Sequence, residues 1–255
     1  MSTLDGKVAL VTGSSHPAGI GLAIARRLAS EGCSLYLVAE GTAEQLEAAC
    51  TECRSIGAPR AEFGVFDLAP SGAAEQMVAD ALARLGHIDV LINNAAARSP
   101  YDFGDYTREE FERVVGVNLA SAFFASQAVL PDMRARGGGR IIHIASQLGE
   151  VAHTKSCLYG LTKAALIHLT KSMALELGHD GIVVNAISPG PVMTQHNLAR
   201  TSAAPGYAAS RLVQVPLGRF GMPEEIADVA HYLATTSTTF LQGENIIVDG
   251  GYVIH

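Results

Sequence analysis

Short apolar, β-branched runs alternate with longer amphipathic stretches along the whole chain. The runs at 8–11, 34–39, 61–66, 89–93, 140–145, 182–187 and 245–248 predict seven strands, each apolar enough to be covered on both faces. Helical periodicity predicts helices over 19–30, 42–56, 71–85, 107–136, 157–177 and 223–235. Thr107 and Glu110 have the spacing of a capping box, Gly178 suits the left-handed position just past a helix end, and Pro223 suits a first helical position. Strand–helix alternation of this kind predicts βαβ units and an α/β fold with a parallel sheet, read as one domain over 1–255 with no linker or repeat. One stretch departs from the pattern. Residues 190–222 follow a strand and lack strong periodicity, which predicts a substrate lid within the domain or a plain irregular loop. Leu198 and Leu212 are candidates to anchor short helices there, and 201–206 reads as mobile.

The first strand runs into Gly13, and Gly19–Ile20–Gly21 opens the next helix. Such a turn lets the backbone approach a pyrophosphate and aims a helix N-terminus at it, although a tight strand–helix turn has the same composition. Glu40 ends the second strand. An acid there accepts hydrogen bonds from an adenosine ribose and repels a 2′-phosphate, favouring NAD over NADP; it also suits an exposed helix start. Tyr159 and Lys163 stand four apart at the start of a predicted helix, so they share one face. An ammonium beside a phenol lowers its pKa, which lets tyrosine exchange a proton with a carbinol near neutral pH. Ser146 follows the fifth strand, where its hydroxyl is placed to hold a substrate oxygen.

Taken together these motifs resemble the short-chain dehydrogenase/reductases of the single-domain kind, over essentially the whole chain. The resemblance implies a Rossmann-like, doubly wound, seven-stranded parallel sheet with helices on both faces. It implies a catalytic tetrad of Asn118, Ser146, Tyr159 and Lys163. Tyr159 would be the general acid/base, Lys163 would hold the nicotinamide ribose, Ser146 would polarise the carbonyl and Asn118 would support a water-linked proton relay. It further implies cofactor contacts from Gly13, Ser15, Gly19, Ile20, Gly21, Glu40, Asp67, Leu68, Asn94, Ala95, Ala96, Tyr159, Lys163, Pro189, Gly190, Val192 and Thr194. The sequence departs from the family at two points. The Gly13–Gly19 interval is lengthened by His16–Pro17, with His16 either near a phosphate or solvated, and Ala96 replaces a customary glycine. Family members often pair through their two long helices, which implies a homotetramer.

Composition narrows the function without changing this picture. Net charge is −7, aromatic content is 6% and Trp is absent, which disfavours a nucleic-acid partner. No apolar run reaches the ~18 residues of a membrane span, and Met1–Lys7 has no signal-peptide pattern, so a cytoplasmic chain is expected. Cys50 and Cys53 form a C-x-x-C spacing with no second pair, and read as buried structural cysteines. No histidine spacing suggests a metal site. Gln147 and His153, with Ser146 and Tyr159, are candidate substrate contacts; Arg98 reads either as an anion ligand or as a solvated side chain. The function expected is NAD-dependent hydride transfer with a secondary alcohol or ketone, on a small polyol, sugar-like or cyclic substrate. Alternatives are an NADPH-dependent 3-ketoacyl-thioester reductase, disfavoured by the lack of a basic residue beside Glu40 in sequence, and an inactive nucleotide-binding regulator.

Overall fold

A computed structural model describes residues 4–204 and 206–254. The start of the N-terminal segment, 1–3, and Pro205 lie outside the described residues. The strands are β1 Val8–Thr12, β2 Ser34–Ala39, β3 Ala61–Val65, β4 Val90–Asn93, β5 Gly139–Ile144, β6 Ile182–Pro189 and β7 Asn245–Val248. They form one seven-stranded sheet in the order β3-β2-β1-β4-β5-β6-β7, with every pairing parallel. The winding reverses between β1 and β4, which leaves a crevice beyond their carboxyl ends.

The helices are α1 Ile20–Ala29, α2 Ala43–Ile56, α3 Ala73–Leu85, α4 Arg108–Val115, α5 Ser121–Ala135, α6 Cys157–Leu177, α7 Gln195–Ala203, α8 Tyr207–Leu212 and α9 Pro223–Thr235. Side chains such as Leu22, Ile24, Leu46 and Ile226 from α1, α2 and α9 fill one face of the sheet. Met77, Val78, Val129, Met133 and Leu177 from α3, α5 and α6 fill the other. The doubly wound architecture inferred by resemblance is thus present. Cys50 and Cys53 are buried and unbridged, and burial pushes their thiols up to about 12 and about 11, as befits packing residues rather than reactive ones.

Several local expectations need correction. β3 and β7 are only partly buried, because they are the sheet's edges and each lacks a neighbour on one side. The predicted 107–136 helix is α4 and α5 joined by a π-helical turn, Gly116–Ala120. Gly116 packs against Ala69 at that turn, too close for any side chain. This 108–135 helix is long and apolar enough to span a bilayer by length and composition, yet its α5 part packs Ala125, Val129 and Met133 into the core. The Thr107 hydroxyl does accept from the Glu110 amide, but the Glu110 carboxylate turns to Arg113 instead of completing the box. Thr42 and Gln45 form the complete capping box. Gly178 is right-handed and starts a further tight turn; the left-handed residue is Gly181, at φ 71°. Pro223 opens α9 as expected.

The 190–222 stretch is not irregular. α7 and α8 occupy it, and its two ends are clamped by a parallel bridge between Val192 and Gly221. Thr201–Ala203, read as mobile, completes α7. Leu212 is half-buried, whereas Leu198 remains exposed.

Candidate active site

The switch-point crevice is built by stitching β1 to its neighbours. Thr12, at the end of β1, accepts from the amides of Asn94 and Ala95 through its hydroxyl. The Asn94 side chain donates to the carbonyls of Thr12 and Gly13 at 2.8 and 3.0 Å. Asn94 therefore shapes the turn with its side-chain donors. The Ser14 hydroxyl is buried and bridges β1 to β2, donating to Val11 and accepting from Val38. Ser15, at the next position, is only half-buried.

Gly13 lies at φ +69°, in the region that favours glycine, and at Gly21 a Cβ would collide with the Gly13 carbonyl and the Asn94 amide. α1 has no capping side chain and no acid in its first turn, so its N-terminal amides are available to an anion. These features fit a dinucleotide pyrophosphate. The additional His16–Pro17 residues close into a local turn: Gly19 N–H donates to the His16 carbonyl, and His16 Nδ1 accepts from Ala18. The His16 ring thus supports its own loop. Glu40 is exposed past the end of β2, and Asp67 accepts from the Ala69 amide beside buried Leu68.

Sequence proximity misses one charge. α4 brings Arg113 within electrostatic reach of Glu40, but its guanidinium is held by Glu110 at 2.7 and 2.9 Å. The absence of a basic residue beside Glu40 is therefore true of the sequence and not of the fold.

The four residues that the resemblance singles out converge from three places: the π turn (Asn118), the end of β5 (Ser146) and α6 (Tyr159 and Lys163). Asn118 lies in the π-helical turn, where its carbonyl oxygen accepts from the Ala97 amide and its NH2 donates to the Ala97 carbonyl and to Thr162. Thr162 in turn donates to the Tyr159 carbonyl at 2.8 Å. The Asn118 side chain thus ties the loop after β4 to the first turns of α6. The π turn interrupts the long helix at Asn118, and such turns often accompany functional positions. Lys163 is only 1% exposed and donates from Nζ to the Ile144 carbonyl at 2.7 Å, with Nζ 5.6 Å from the Tyr159 ring centre. Ser146 accepts from the Leu148 amide and hydrogen-bonds Tyr159.

Burial by itself would raise the Tyr159 phenol. The Lys163 ammonium, then the Arg98 guanidinium, and hydrogen bonds from Ser146 and Arg98 outweigh it, so the pKa lies below that of an ordinary tyrosine. Burial also lowers Lys163, with Tyr159 opposing that shift. His143, behind the site on β5, is driven down to about 3 by burial and then by Lys163, so it is neutral and adds no charge.

Arg98 is exposed, as its solvated reading expects, and its guanidinium also lies 4.6 Å over the Tyr159 ring, where it helps lower the phenol. Beside it opens a cavity of about 500 Å³, lined by Tyr159, His153 and residues of α7 and α8. The stretch predicted as a lid forms one wall of this cavity. His153 faces it with Nε2 accepting from Arg211 and Nδ1 donating to the Thr154 carbonyl. Gln147 does not line it. That side chain is 2% exposed, and its Oε1 has no protein partner.

On the far side of the crevice, β6 ends at Pro189 and Gly190 follows, with its amide donating to Val248. Val192 is buried at the bridge to Gly221. Thr194 is the N-cap of α7, yet its hydroxyl makes no capping bond. Ala95 and Ala96 follow Asn94 at the crevice rim, with Ala96 exposed. Among the described residues there is no group of three His, Cys, Asp or Glu able to hold a metal.

A parallel sheet with a glycine turn at its switch point, and a tyrosine facing a cavity with a buried lysine behind it, defines a nucleotide-dependent oxidoreductase scaffold. Comparison with known proteins places it. The family model described as Enoyl-(Acyl carrier protein) reductase matches residues 13–253. The chain is 37% identical to sorbitol dehydrogenase of Cereibacter sphaeroides, over 97% of this chain and 98% of that one. It is 35% identical to D-threitol dehydrogenase of Mycolicibacterium smegmatis, covering 98% and 94%. Among solved structures, a short-chain dehydrogenase/reductase from Serratia marcescens superposes with a TM-score of 0.90 at 36% identity, covering 98% and 99%. A blue fluorescent protein from a metagenomic library, in complex with NADPH, gives 0.91 at 33%, with the same coverages. The chain belongs to the short-chain dehydrogenase/reductase family.

Proposed function

We propose that the chain interconverts a secondary alcohol and its ketone with NAD(H), acting on a small polyol, sugar-like or cyclic substrate. The observation that carries this reading is the buried Tyr159 phenol, lowered by Lys163 and facing a cavity of substrate size. Tyr159 takes the carbinol proton in oxidation and returns it in reduction. Ser146 holds the substrate oxygen against the phenol. Lys163 keeps the phenolate accessible near neutral pH and contacts the nicotinamide ribose. Asn118 positions α6 through Thr162, and any proton relay starts from the neighbouring main chain rather than from its engaged amide.

The nicotinamide cofactor, when bound, accepts or supplies the hydride. Gly13, Ser15, Gly19, Ile20 and Gly21 receive its pyrophosphate, and Glu40 its adenosine ribose. Asp67 and Leu68 flank the adenine, and Asn94, Ala95 and Ala96 border the adjoining ribose. Pro189, Gly190, Val192 and Thr194 seat the nicotinamide amide, for which the uncapped Thr194 hydroxyl is free. Motion of 190–222 opens and closes the substrate cavity. The names of the sorbitol and threitol relatives support a polyol.

The test is initial-rate turnover of a panel of polyols, cyclic alcohols, their ketones and an acetoacetyl thioester with each cofactor. Alcohol oxidation with NAD faster than with NADP supports the reading; thioester reduction with NADPH alone replaces it with the acyl-thioester alternative. Glu40→Ala is expected to reduce the NAD preference by about tenfold, the loss of one good charge-assisted hydrogen bond, read as the ratio of kcat/KM for the two cofactors. An unchanged ratio would remove Glu40 from the account.

We further propose a homotetramer. Phe123 and Phe124 on α5 and Leu161 and Leu175 on α6 are large apolar side chains left exposed on the two long helices. Light scattering on the eluting protein is expected to give four times the chain mass; a monomer contradicts this.

A further inference from the structure

The cavity beside Tyr159 is cationic far beyond what the chain's composition suggests. Net charge is −7, yet Arg98, Lys155, Arg200 and Arg211 all line this cavity and no Asp or Glu does. Lys155 has a carboxylate partner, Asp102, at 3.3 Å. The three arginines have none among the described residues. Arg98 lies over Tyr159, Arg200 stacks 4.6 Å from the Tyr207 ring centre, and Arg211 donates to His153.

The rest of the chain treats arginine differently. Each of the others is paired with a carboxylate, except Arg140, which donates to the carbonyls of Leu233 and Thr236. Apart from Arg140, the arginines without a carboxylate are therefore gathered at one place, beside the Tyr159 phenol. The sequence is consistent with this: from 181 to 223 there is no acid, while Arg200, Arg211 and Arg219 are all present.

Two further observations point to a ligand. Arg211 Nε is buried with no partner, although its Nη1 is fixed by His153. Lys155 is the one non-glycine among the described residues in the left-handed region, at φ 55°, and it sits on this cavity's rim. Backbone strain of that kind tends to collect at ligand sites. The charges are not there for the cofactor's pyrophosphate, because the cavity lining includes neither the Gly13–Gly21 turn nor Glu40.

We propose that the substrate carries an oxyanion, a carboxylate or a phosphate ester, a few bonds from the reacting carbinol, and that Arg98, Arg200 and Arg211 hold it. This rests on the alcohol–ketone reading above and refines its substrate to an acid or phosphate ester of a small polyol. Guanidinium forks suit both groups, which present two or more oxygens in one plane or face. Arg98, touching both the phenol and the cavity, fixes the distance between anion and carbinol. Arg200 and Arg211 come from α7 and α8, so the anion also draws the 190–222 stretch onto the substrate.

The test compares neutral polyols, the matching aldonic acids and the matching sugar-alcohol phosphates under NAD-coupled turnover, with wild type and with Arg200→Gln and Arg211→Gln. Calorimetry of malonate and of inorganic phosphate binding to the NAD-loaded protein runs alongside. An anionic series is expected to exceed its neutral counterpart by about tenfold or more in kcat/KM, and each variant to lose about tenfold on that series, mainly in KM, so that the ratio of anionic to neutral kcat/KM falls. Acids favoured over phosphates, or the reverse, identifies the source of the oxyanion. Neutral polyols turned over best, with both variants unaffected and neither malonate nor phosphate bound, overturns the inference and leaves the oxidoreductase reading standing. No turnover of any alcohol or ketone overturns that reading instead; malonate or phosphate binding that weakens in Arg200→Gln then still supports the anion site, and its absence rejects it.

Discussion

Tyr159→Phe is expected to lower turnover by about 10²–10⁴-fold, the usual contribution of a positioned acid/base, while leaving cofactor affinity within about twofold. The substitution removes one oxygen from a side chain that is 8% exposed and keeps the ring that packs against Arg98. Fold and cavity shape are retained, so the loss reports on proton transfer. Because the phenol acts in both directions, ketone reduction and alcohol oxidation fall together. The measurement is kcat in both directions beside a calorimetric affinity for NAD. A variant that keeps more than about a tenth of wild-type turnover would remove Tyr159 from the chemistry.

Lys163→Met is the second large effect, and its signature is a displaced pH profile. Burial drives the phenol up; Lys163 is the foremost group bringing it down, with Arg98 behind it. Alcohol oxidation needs the phenolate, so its rate rises with pH through the phenol pKa. Removing the ammonium lets burial prevail, and the rising limb moves to higher pH. At neutral pH the loss is at least about tenfold, since one pKa unit is a tenfold change in the phenolate population. Raising the pH restores part of the loss in oxidation. Arg98→Gln moves the limb in the same direction, because the Arg98 guanidinium also lowers the phenol. A Lys163→Met profile superimposable on wild type would contradict the electrostatic role assigned here. Met fills a similar volume, but the Ile144 carbonyl loses its donor, so a modest fall in thermal stability accompanies the variant.

The strands were legible because a sheet covered on both faces demands short, continuous apolar runs, and only its two edges relax that demand. The placement of Tyr159, Lys163 and Ser146 was legible because one helical face fixes the Tyr159–Lys163 spacing and a strand end places Ser146, whereas Asn118 entered only through the family resemblance. Other features depend on tertiary contacts that no local pattern encodes. The π turn around Asn118 reflects a close approach of Gly116 to Ala69, distant in sequence. Arg113 reaches the neighbourhood of Glu40 only because the fold brings α4 near the end of β2. Asn94 turned out to hold the Thr12–Gly13 corner, a role set by β1–β4 pairing rather than by its own motif.

Arg98 falls between these cases. A carboxylate or phosphate ligand was one of its two readings, yet nothing local placed it over Tyr159. Arg200 and Arg211 escaped notice for the opposite reason. Their signal, a long stretch without a single acid, was present in the sequence but is a pattern of absence, and hydrophobic periodicity does not report it.

The most direct test of the account follows the hydride itself. The protein is incubated with NAD and the best alcohol of the panel, deuterated at its carbinol carbon, and the nicotinamide is analysed by mass and NMR. The account predicts deuterium carried intact to nicotinamide C4 by wild type, with transfer slowed by Tyr159→Phe in proportion to turnover. Reduced cofactor without the label, or label transfer at wild-type rate in Tyr159→Phe, would contradict it.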